Sequence, residues 1–364
     1  MSKLQQFHGS DLEAVARYFH LPQEEIICFG ANVNPLGLSS SVKNTLAEHL
    51  EIISSYPDRD YSSLKKQISH YCHVCPQNIV VGNGCTELIS LFIQLLKPRR
   101  ALLPIPSYSE YEREIALSGG TVEYFPLSQE ENFSLNLSSL YKVLEKNIDL
   151  LILCNPNNPT STATCVDDLT RILSFCKEKH IFVMIDETYV EFVEDMDKIT
   201  AMPLTESFDN LIVLRGVSKF FAAPGLRFGY GVTGNNGLLS QLNSIKNPWS
   251  LNSIGAYAGE LLLSDKNYIQ KSRSLISSER KRICKRLRAF SFIQVYEPAA
   301  NFILLKICKD NLTSYDVFVH AIQRGLMIRD CSSFVGLEGE FIRFCLMNPE
   351  DNDRLLDCLE EILA

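Results

Sequence analysis

The segment Ile181–Tyr189 reads IFVMIDETY and decides the fold class. Five apolar residues, a length typical of a buried strand, end at the acid Asp186. Similar short strands are predicted at Ile79–Val81, Ala101–Leu103, Val122–Phe125, Leu150–Cys154, Phe182–Ile185 and Ile212–Leu214. Helices predicted between them include Thr86–Leu96, Tyr111–Leu117 and Val166–Glu178. This alternation predicts an α/β fold with a mostly parallel sheet that is covered by helices on both faces.

The pattern changes after about residue 250. Two long helices, Ser253–Leu263 and Tyr268–Phe290, precede a region in which strands mix with terminal helices. The strands predicted there are Phe292–Tyr296, Phe302–Ile307 and Phe341–Cys345. Near the other end of the chain, a capping box is predicted at Ser10–Glu13 and a helix at Val42–Ile52. The C-terminal pattern indicates a second, smaller α+β domain.

Composition excludes several classes of protein. The chain has 364 residues, 46% of them hydrophobic, which suffices for about two domains. Its net charge is −8 and it has no basic run, which argues against binding to nucleic acid. No apolar stretch approaches the roughly 20 residues of a membrane span, and the start lacks the apolar core of a signal peptide. We therefore expect a soluble, cytoplasmic protein without a membrane partner.

The twelve cysteines are scattered through apolar segments, and in a cytosolic chain they are interpreted as reduced core residues. The closest approach to a metal motif is Cys72–Cys75 (CHVC), which has the CxxC spacing but no second pair of ligands. No metal site is therefore predicted.

Further motifs lie in a fixed order around Asp186. Asn155–Thr160 (NPNNPT) precedes it, and Val217–Phe220 (VSKF) and Gly225–Gly229 (GLRFG) follow it. This ordered set resembles the fold-type I aminotransferase family, whose members use pyridoxal 5'-phosphate (PLP). The resemblance extends from His8 to the C-terminal helix. It implies a large PLP-binding α/β domain of residues 50–249 and a small discontinuous α+β domain of residues 1–49 and 250–364.

The resemblance implies a role for each group that PLP chemistry needs. Lys219 is expected to bind the cofactor aldehyde. Asp186 lies at the C-terminal end of its strand, where ligands bind in such sheets, and is expected to keep the ring nitrogen protonated. Asn158 and Tyr189 are expected to donate hydrogen bonds to the phenolic oxygen of the ring. Tyr108 is expected to stack on the ring.

The turn Gly82–Glu87 (GNGCTE) predicts a phosphate cradle, because free backbone N–H groups at a helix N-terminus bind anions. The expected phosphate contacts are Gly84, Cys85, Thr86, Ser218 and Arg227. Gly216 stands where the family often has Ser or Thr, and this departure removes one hydrogen bond to the phosphate. Tyr56, in Tyr56–Asp58 (YPD), matches a tyrosine that reaches the phosphate of the neighbouring subunit. The resemblance therefore implies a homodimer.

Arg343 lies inside the apolar strand Phe341–Cys345, where an arginine is costly unless it is paired or points into a site. The resemblance assigns it to the substrate carboxylate. Three N-terminal and central motifs indicate the subgroup: His8–Asp11 (HGSD), Ala31–Gly37 (ANVNPLG) and Asn247–Asn252 (NPWSLN). They resemble the L-threonine-O-3-phosphate decarboxylases of cobamide synthesis.

That resemblance implies a small phosphorylated amino acid as the substrate. Its phosphate is expected to be held by His8, Asn32 and Arg329, which follows the predicted strand Leu326–Ile328. Holding the substrate in this way could rotate its carboxylate out of the ring plane, so that the Cα–carboxylate bond, rather than Cα–H, is the one that breaks. Decarboxylation, rather than transamination, is therefore predicted.

Some residues depart from the decarboxylase pattern. Ser10 replaces a glycine, Gly30 a serine and Ser161 a glycine, while Thr188–Tyr189 is more typical of aminotransferases. Serine phosphate therefore competes with threonine phosphate as the substrate, and histidinol-phosphate aminotransferase is the alternative function. A PLP-binding regulator is a remote alternative, because no DNA-binding helix-turn-helix is predicted before residue 50.

Overall fold

The structure is a computed structural model that describes residues 6–364. Its strands are β1 (Ile27–Cys28), β2 (Ile79–Gly82), β3 (Arg100–Ile105), β4 (Thr121–Pro126), β5 (Leu150–Cys154), β6 (Phe182–Asp186), β7 (Leu211–Gly216), β8 (Gly229–Val232), β9 (Ile293–Val295), β10 (Phe302–Ile307), β11 (Leu326–Met327), β12 (Arg329–Asp330) and β13 (Phe341–Cys345). Its α-helices are α1 (Leu12–Phe19), α2 (Ser40–Glu48), α3 (Ser62–Cys72), α4 (Cys85–Leu96), α5 (Glu110–Leu117), α6 (Leu137–Leu144), α7 (Val166–Glu178), α8 (Asn236–Ile245), α9 (Ser253–Ser264), α10 (Lys266–Leu287), α11 (Ser314–Ile322) and α12 (Pro349–Leu363). In the described residues, no helix is long and apolar enough to cross a membrane.

The central sheet has seven strands in the order β2–β8–β7–β6–β5–β3–β4. Only β8 runs antiparallel to its neighbours. Both faces of the sheet are buried: in β5, Leu151 and Leu153 pack into one apolar cluster, and Leu150 and Ile152 pack into another. The predicted α/β fold with a mostly parallel, doubly covered sheet is therefore confirmed.

The carboxyl ends of β5, β6 and β7 lie at one edge of this sheet. Cys154 is opposite Asp186 in the register of β5 and β6, and Asp186 is opposite Leu214 of β7. The backbone N–H of Asn155 continues the ladder by donating to the Asp186 carbonyl at 2.8 Å. The loops that leave these three strands therefore begin side by side.

A second, antiparallel sheet has the order β12–β13–β10–β9. In its register Arg329 of β12 is directly opposite Arg343 of β13. The N-terminal strand β1 pairs in parallel with β11, far away in the sequence. The division into residues 50–249 and a discontinuous domain of residues 1–49 and 250–364 stays a prediction.

The N-terminal segment crosses the chain near residue 30 in a glycine–glycine contact. A Cβ atom on Gly9 would lie 2.2 Å from the Gly30 carbonyl oxygen, and one on Gly30 would lie 2.7 Å from the Gly9 oxygen. A side chain at either position would force the two segments apart. The absence of serine at Gly30 therefore has a steric reason, and the crossing helps to bring His8 and Asn32 to one cavity.

Several local predictions were wrong. The capping box at Ser10 does not form: α1 begins after Asp11, whose carboxylate accepts a hydrogen bond from the His8 N–H at 2.8 Å. The helix expected to reach Ile52 ends at Glu48 and continues as a 3-10 turn. β8 was missed because its sequence, GYGV, alternates glycine with larger residues and lacks an apolar run. Arg329 does not merely follow a strand but lies on one, β12.

Candidate active site

A cavity of about 360 Å³ opens where β5, β6 and β7 end, and the second sheet contributes part of its wall. It is lined by fourteen of the residues predicted from the sequence: His8, Asn32, Gly84, Cys85, Thr86, Tyr108, Asn158, Asp186, Tyr189, Ser218, Lys219, Arg227, Arg329 and Arg343. Tyr56 alone among the predicted site residues does not line it. The structure thus brings together residues that are up to 335 positions apart in the chain.

Asp186 is held by three hydrogen bonds at the end of β6. Tyr111 donates its hydroxyl to one carboxylate oxygen at 2.7 Å. Thr188 donates its hydroxyl and its backbone N–H to the other oxygen at 2.6 and 2.9 Å. These hydrogen bonds fix the position of the carboxylate, a group that could pair with a protonated ring nitrogen. Tyr111 and Thr188 are functional candidates that sequence reasoning missed, although both lie within or beside its motifs.

Lys219 is half-buried and lines the cavity, and its amine donates to the Ala31 carbonyl at 2.7 Å. Burial, aided by the charge of Arg343, lowers the pKa of Lys219 to about 8. An amine with this pKa is partly neutral near neutral pH, and the neutral amine is the nucleophile that reacts with an aldehyde. The backbone of the same lysine accepts a hydrogen bond from the Asn34 N–H at 3.0 Å. The segment near Asn32 is thereby joined to the lysine loop.

The predicted phosphate cradle is formed at the N-terminus of α4. Gly84 is the N-cap residue and has φ +85°, a left-handed conformation that favours glycine. A Cβ atom there would lie 2.6 Å from the Arg227 guanidinium, which therefore lies directly against the cradle. Backbone N–H groups at a helix N-terminus beside an arginine make a site suited to a phosphate group.

The unusual Gly216 is explained by its neighbour Cys85. A Cβ atom on Gly216 would lie 2.9 Å from the Cys85 sulfur, so a serine or threonine at this position would displace that thiol. The Cys85 sulfur is within 3.9 Å of the Thr188 hydroxyl. Burial raises the pKa of the Cys85 thiol, which is therefore neutral and not a nucleophile.

A hydrogen bond joins the side chains of Asn158 and Arg343. Arg343 donates to the side-chain oxygen of Asn158, and it also donates to the Gly30 carbonyl at 2.7 Å. With its oxygen engaged, the Asn158 amide can use its N–H groups as donors toward the cavity, as expected for a contact to a phenolic oxygen. Tyr189 has its hydroxyl 3.5 Å from the Asn32 amide nitrogen, and its pKa is raised by burial.

Hydrogen bonds stabilise Ser161, which stands where the decarboxylase pattern has glycine. Ser161 has φ +61°, which is the reason that a glycine would suit this position. Its hydroxyl accepts a hydrogen bond from the Ala300 N–H at 3.0 Å, and its carbonyl accepts one from Ala299 at 2.8 Å. These contacts offset the strain and tie the Asn158 loop to the segment that leads into β10.

The second sheet places two cations, Arg329 and Arg343, on the wall of the cavity. Arg329 is 7% exposed and Arg343 is 5% exposed, and within residues 6–364 neither forms a salt bridge with an acid. The Nε atom of Arg343 is buried without a hydrogen-bond partner. Burying unpaired cations is costly, so an anion is the expected ligand of this wall.

His8 lies at the mouth of the cavity, near this wall. The Ser10 N–H is 3.4 Å from its Nδ1 atom, and the Ser10 hydroxyl is 2.8 Å from the same atom. With Nδ1 as the acceptor, the neutral ring carries its proton on Nε2, an assignment made from these contacts. Burial and the charge of Arg329 lower the pKa of His8, which keeps the ring neutral. Its Nε2–H group can then donate to a substrate oxygen.

Tyr56 is remote from this cavity within a single chain. It is 82% exposed, and its ring lies 5.1 Å from that of Trp249. A contact between Tyr56 and a phosphate in the neighbouring subunit therefore stays a prediction.

The cavity fits PLP by the chemistry of its residues. It combines a partly neutral amine at Lys219, an oriented carboxylate at Asp186 and an anion cradle at Gly84 that a Cβ atom would fill. Tyr108 supplies an aromatic ring on the cavity wall, 5.5 Å from the ring of Tyr111 and nearly perpendicular to it.

Comparison with known proteins identifies the family. Residues 24–359 match the family model described as aminotransferase class I and II. The chain is 36% identical over 329 residues to a protein of Caldanaerobacter subterraneus subsp. tengcongensis provisionally named threonine-phosphate decarboxylase, with 90% of this chain and 88% of that protein covered. It is 31% identical over 357 residues to the threonine-phosphate decarboxylase of Salmonella typhimurium, with 98% and 96% covered. A solved structure, the histidinol-phosphate aminotransferase from Clostridium acetobutylicum, is 32% identical, has a TM-score of 0.86 and covers 92% of this chain and 98% of its own.

Proposed function

The chain belongs to the aminotransferase class I and II family of PLP-dependent enzymes, and we propose that it is a carboxy-lyase of that family, a threonine-phosphate decarboxylase. It converts L-threonine O-3-phosphate to 1-aminopropan-2-ol O-phosphate and CO₂. The product is a building block for the nucleotide loop of cobamides. Serine phosphate, which lacks one methyl group, is the near competitor.

The observation that carries this proposal is the pair of buried arginines without acidic partners. Arg329 and Arg343 are directly opposite in the register of the second sheet. Within residues 6–364 neither is within salt-bridge distance of an acid, and the more distant Asp330 and Asp11 only partly offset the effect of burial on the pKa of Arg329. O-phosphothreonine carries two anions, a phosphate and a carboxylate, in a single substrate. Histidinol phosphate carries only one, and 2-oxoglutarate would supply two only in the second half of a transamination. With His8 as an additional donor, the wall suits a small molecule with two anionic groups.

Each residue of the site has a separate role in the proposed reaction. When bound, PLP supplies the electron sink that stabilises the pair of electrons left on Cα. Asp186 keeps the charge on the cofactor nitrogen that this role requires. Arg329, Asn32 and His8 hold the substrate phosphate, and Arg343 contacts the carboxylate. These contacts hold the Cα–carboxylate bond in position while it breaks and CO₂ leaves. The ammonium form of Lys219 can then donate a proton to Cα, which completes the amine phosphate product before it leaves.

The alternative, histidinol-phosphate aminotransferase, is favoured by one observation. Thr188 and Tyr189 follow the acid as in aminotransferases, and both line the cavity. In that reaction Lys219 would move the proton from Cα, and Tyr189 would support the phenolic oxygen. The remote regulator alternative has no support in the fold: α1 and α2 are separated by β1, which pairs with β11, so they do not form a helix-turn-helix unit.

The proposal includes a homodimer in the cytoplasm. Tyr56 and Ile53 are 82% and 63% exposed, Leu50 and Trp249 are exposed as well, and the rings of Tyr56 and Trp249 lie 5.1 Å apart. A second copy of this chain is the partner that we propose to cover these apolar side chains. Tyr56 would thereby reach the phosphate bound by the neighbouring subunit. The twelve cysteines are free thiols, which suits a reducing compartment.

Product analysis with the PLP-loaded enzyme tests the proposal. Incubation with O-phosphothreonine should release CO₂ and an amine phosphate. Parallel incubation with histidinol phosphate and 2-oxoglutarate measures transamination. Brisk transamination without any CO₂ release would overturn the proposal in favour of the alternative.

A further inference from the structure

We infer that Phe334 is a positioning residue for the two anion-binding arginines and thereby determines specificity for substrates with two anionic groups. The inference rests on the proposed function, because it concerns the same cavity. It assigns a role to a side chain that none of the sequence motifs contains. Phe334 lies in the loop between β12 and β13 and lines the cavity.

The arginine pair needs something to hold it together. Arg329 and Arg343 are a cross-strand pair, so their side chains leave the same face of the sheet at close range, where like charges repel. Both are buried, which weakens screening by water. Burial and the neighbouring charge of Arg343 both lower the pKa of Arg329. Without a counter-charge, the two guanidinium groups would move apart or turn away from the cavity.

Phe334 contacts both cations. The centre of its ring lies 5.3 Å from Cζ of Arg329 and 6.0 Å from Cζ of Arg343. The face of an aromatic ring carries negative potential and attracts a cation within about 6 Å. Phe302 lies 5.4 Å from Arg343, but only Phe334 contacts both arginines among the cation–ring contacts of residues 6–364. The ring therefore offsets part of the repulsion between the two cations.

The ring is itself anchored. Phe334 packs against an apolar cluster that includes Tyr296, Leu337 and Phe341. Its N–H donates to the Cys331 carbonyl at 3.0 Å, and its carbonyl accepts from the Leu337 N–H at 3.0 Å. A fixed ring next to a guanidinium group leaves its planar fork of N–H donors available for an anion. The neighbouring Ser333 supports the same orientation, because its hydroxyl accepts from Arg329 at 2.6 Å.

This arrangement predicts which ligands depend on Phe334. A ligand with one anion uses one arginine and therefore one of the two contacts. A ligand with two anions uses both, and it also depends on the spacing between the arginines. Loss of the aromatic face should therefore weaken two-anion ligands more than one-anion ligands.

The test uses the PLP-loaded enzyme and three variants. Phe334→Leu removes the aromatic face with little change in volume, Phe334→Tyr retains the face, and Val335→Ala is a matched control in the same loop. The dissociation constants of O-phosphothreonine and inorganic phosphate are measured by calorimetry or by competition. We expect Phe334→Leu to weaken O-phosphothreonine by roughly three- to thirtyfold and phosphate by less. Phe334→Tyr and Val335→Ala should bind both within about twofold of the wild type.

A purely structural role would give another result. Equal losses for Phe334→Leu and Phe334→Tyr, or equal weakening of both ligands, would overturn the inference. If Phe334→Leu does not fold, Phe334→Met replaces it under the same criteria. Failure of the proposed function is distinguishable, since it appears as absent CO₂ release by the wild type. In that case 2-oxoglutarate serves as the two-anion ligand, and unchanged binding by Phe334→Leu would still refute the role of the ring.

Discussion

Replacing Tyr111 with phenylalanine removes one hydrogen bond from Asp186 and should weaken the binding of PLP. The tyrosine hydroxyl donates at 2.7 Å to a carboxylate that is only 5% exposed, and the tyrosine itself is 1% exposed. Water therefore has little access to replace the lost donor. Hydrogen bonds to charged groups contribute about 1.5–3 kcal/mol each, and about 1.4 kcal/mol corresponds to a factor of ten.

We therefore expect the dissociation constant of PLP for Tyr111→Phe to rise by roughly ten- to a hundredfold. The remaining hydrogen bonds from Thr188 keep the carboxylate in place, so the loss should stay within this range. The assay removes the cofactor, titrates it back and follows its visible absorbance. The pH dependence of that absorbance is recorded as well, because weaker support of Asp186 should change the protonation of the cofactor ring.

The matched control is Tyr108→Phe, which retains the ring on the cavity wall and removes a hydroxyl that has no hydrogen bond to Asp186. It should bind PLP within about threefold of the wild type, a bound set by the absence of a charged hydrogen bond. If Tyr111→Phe binds PLP as tightly as the wild type and shows the same absorbance profile, the reasoning that the tyrosine supports Asp186 is refuted.

Four further outcomes are expected. Borohydride reduction of the PLP-loaded enzyme should fix the cofactor on the peptide that contains Lys219, and labelling of another lysine would contradict the assignment. Arg329→Ala should lower kcat/KM for O-phosphothreonine by roughly ten- to a hundredfold or more, because one charged hydrogen bond contributes about 1.5–3 kcal/mol. If the substitution lowers kcat/KM less for the phosphorylated substrate than for unphosphorylated threonine, Arg329 does not contact the phosphate. Chains with Tyr56→Phe and Lys219→Ala, each impaired alone, should regain activity when mixed, since one site of the mixed dimer holds both wild-type residues; verified heterodimers without recovery would rule out a shared site. Burial raises the pKa of Glu191 to about 7, so this carboxyl binds more protons in the folded protein than in the unfolded chain from about pH 4.5 to 7. The contribution of Glu191 to the free energy of unfolding should therefore fall by on the order of 3 kcal/mol as the pH rises through this window. Glu191→Gln should remove this contribution in denaturant titrations at several pH values, and an unchanged pH dependence would show that Glu191 does not titrate there.

The sequence by itself predicted six of the seven strands of the large sheet and several of the helices between them. Apolar runs such as that of β6 are local signals, because a strand buried on both faces must be apolar along its whole length. The motifs around Asp186 and Lys219 are also local, so their chemistry could be predicted without coordinates. The β8 strand was missed because its glycines carry no apolar signal, although the sheet accepts it between β2 and β7.

Only the tertiary structure decided how these residues meet. The hydrogen bond from Tyr111 to Asp186 and the steric exclusion between Gly216 and Cys85 depend on distances between segments that are far apart in the chain. The contact of Phe334 with two arginines depends on the register of β12 and β13, which residue types alone do not specify. Periodicity reports which face of an element is buried, whereas contacts between elements are set by packing the whole chain into one core.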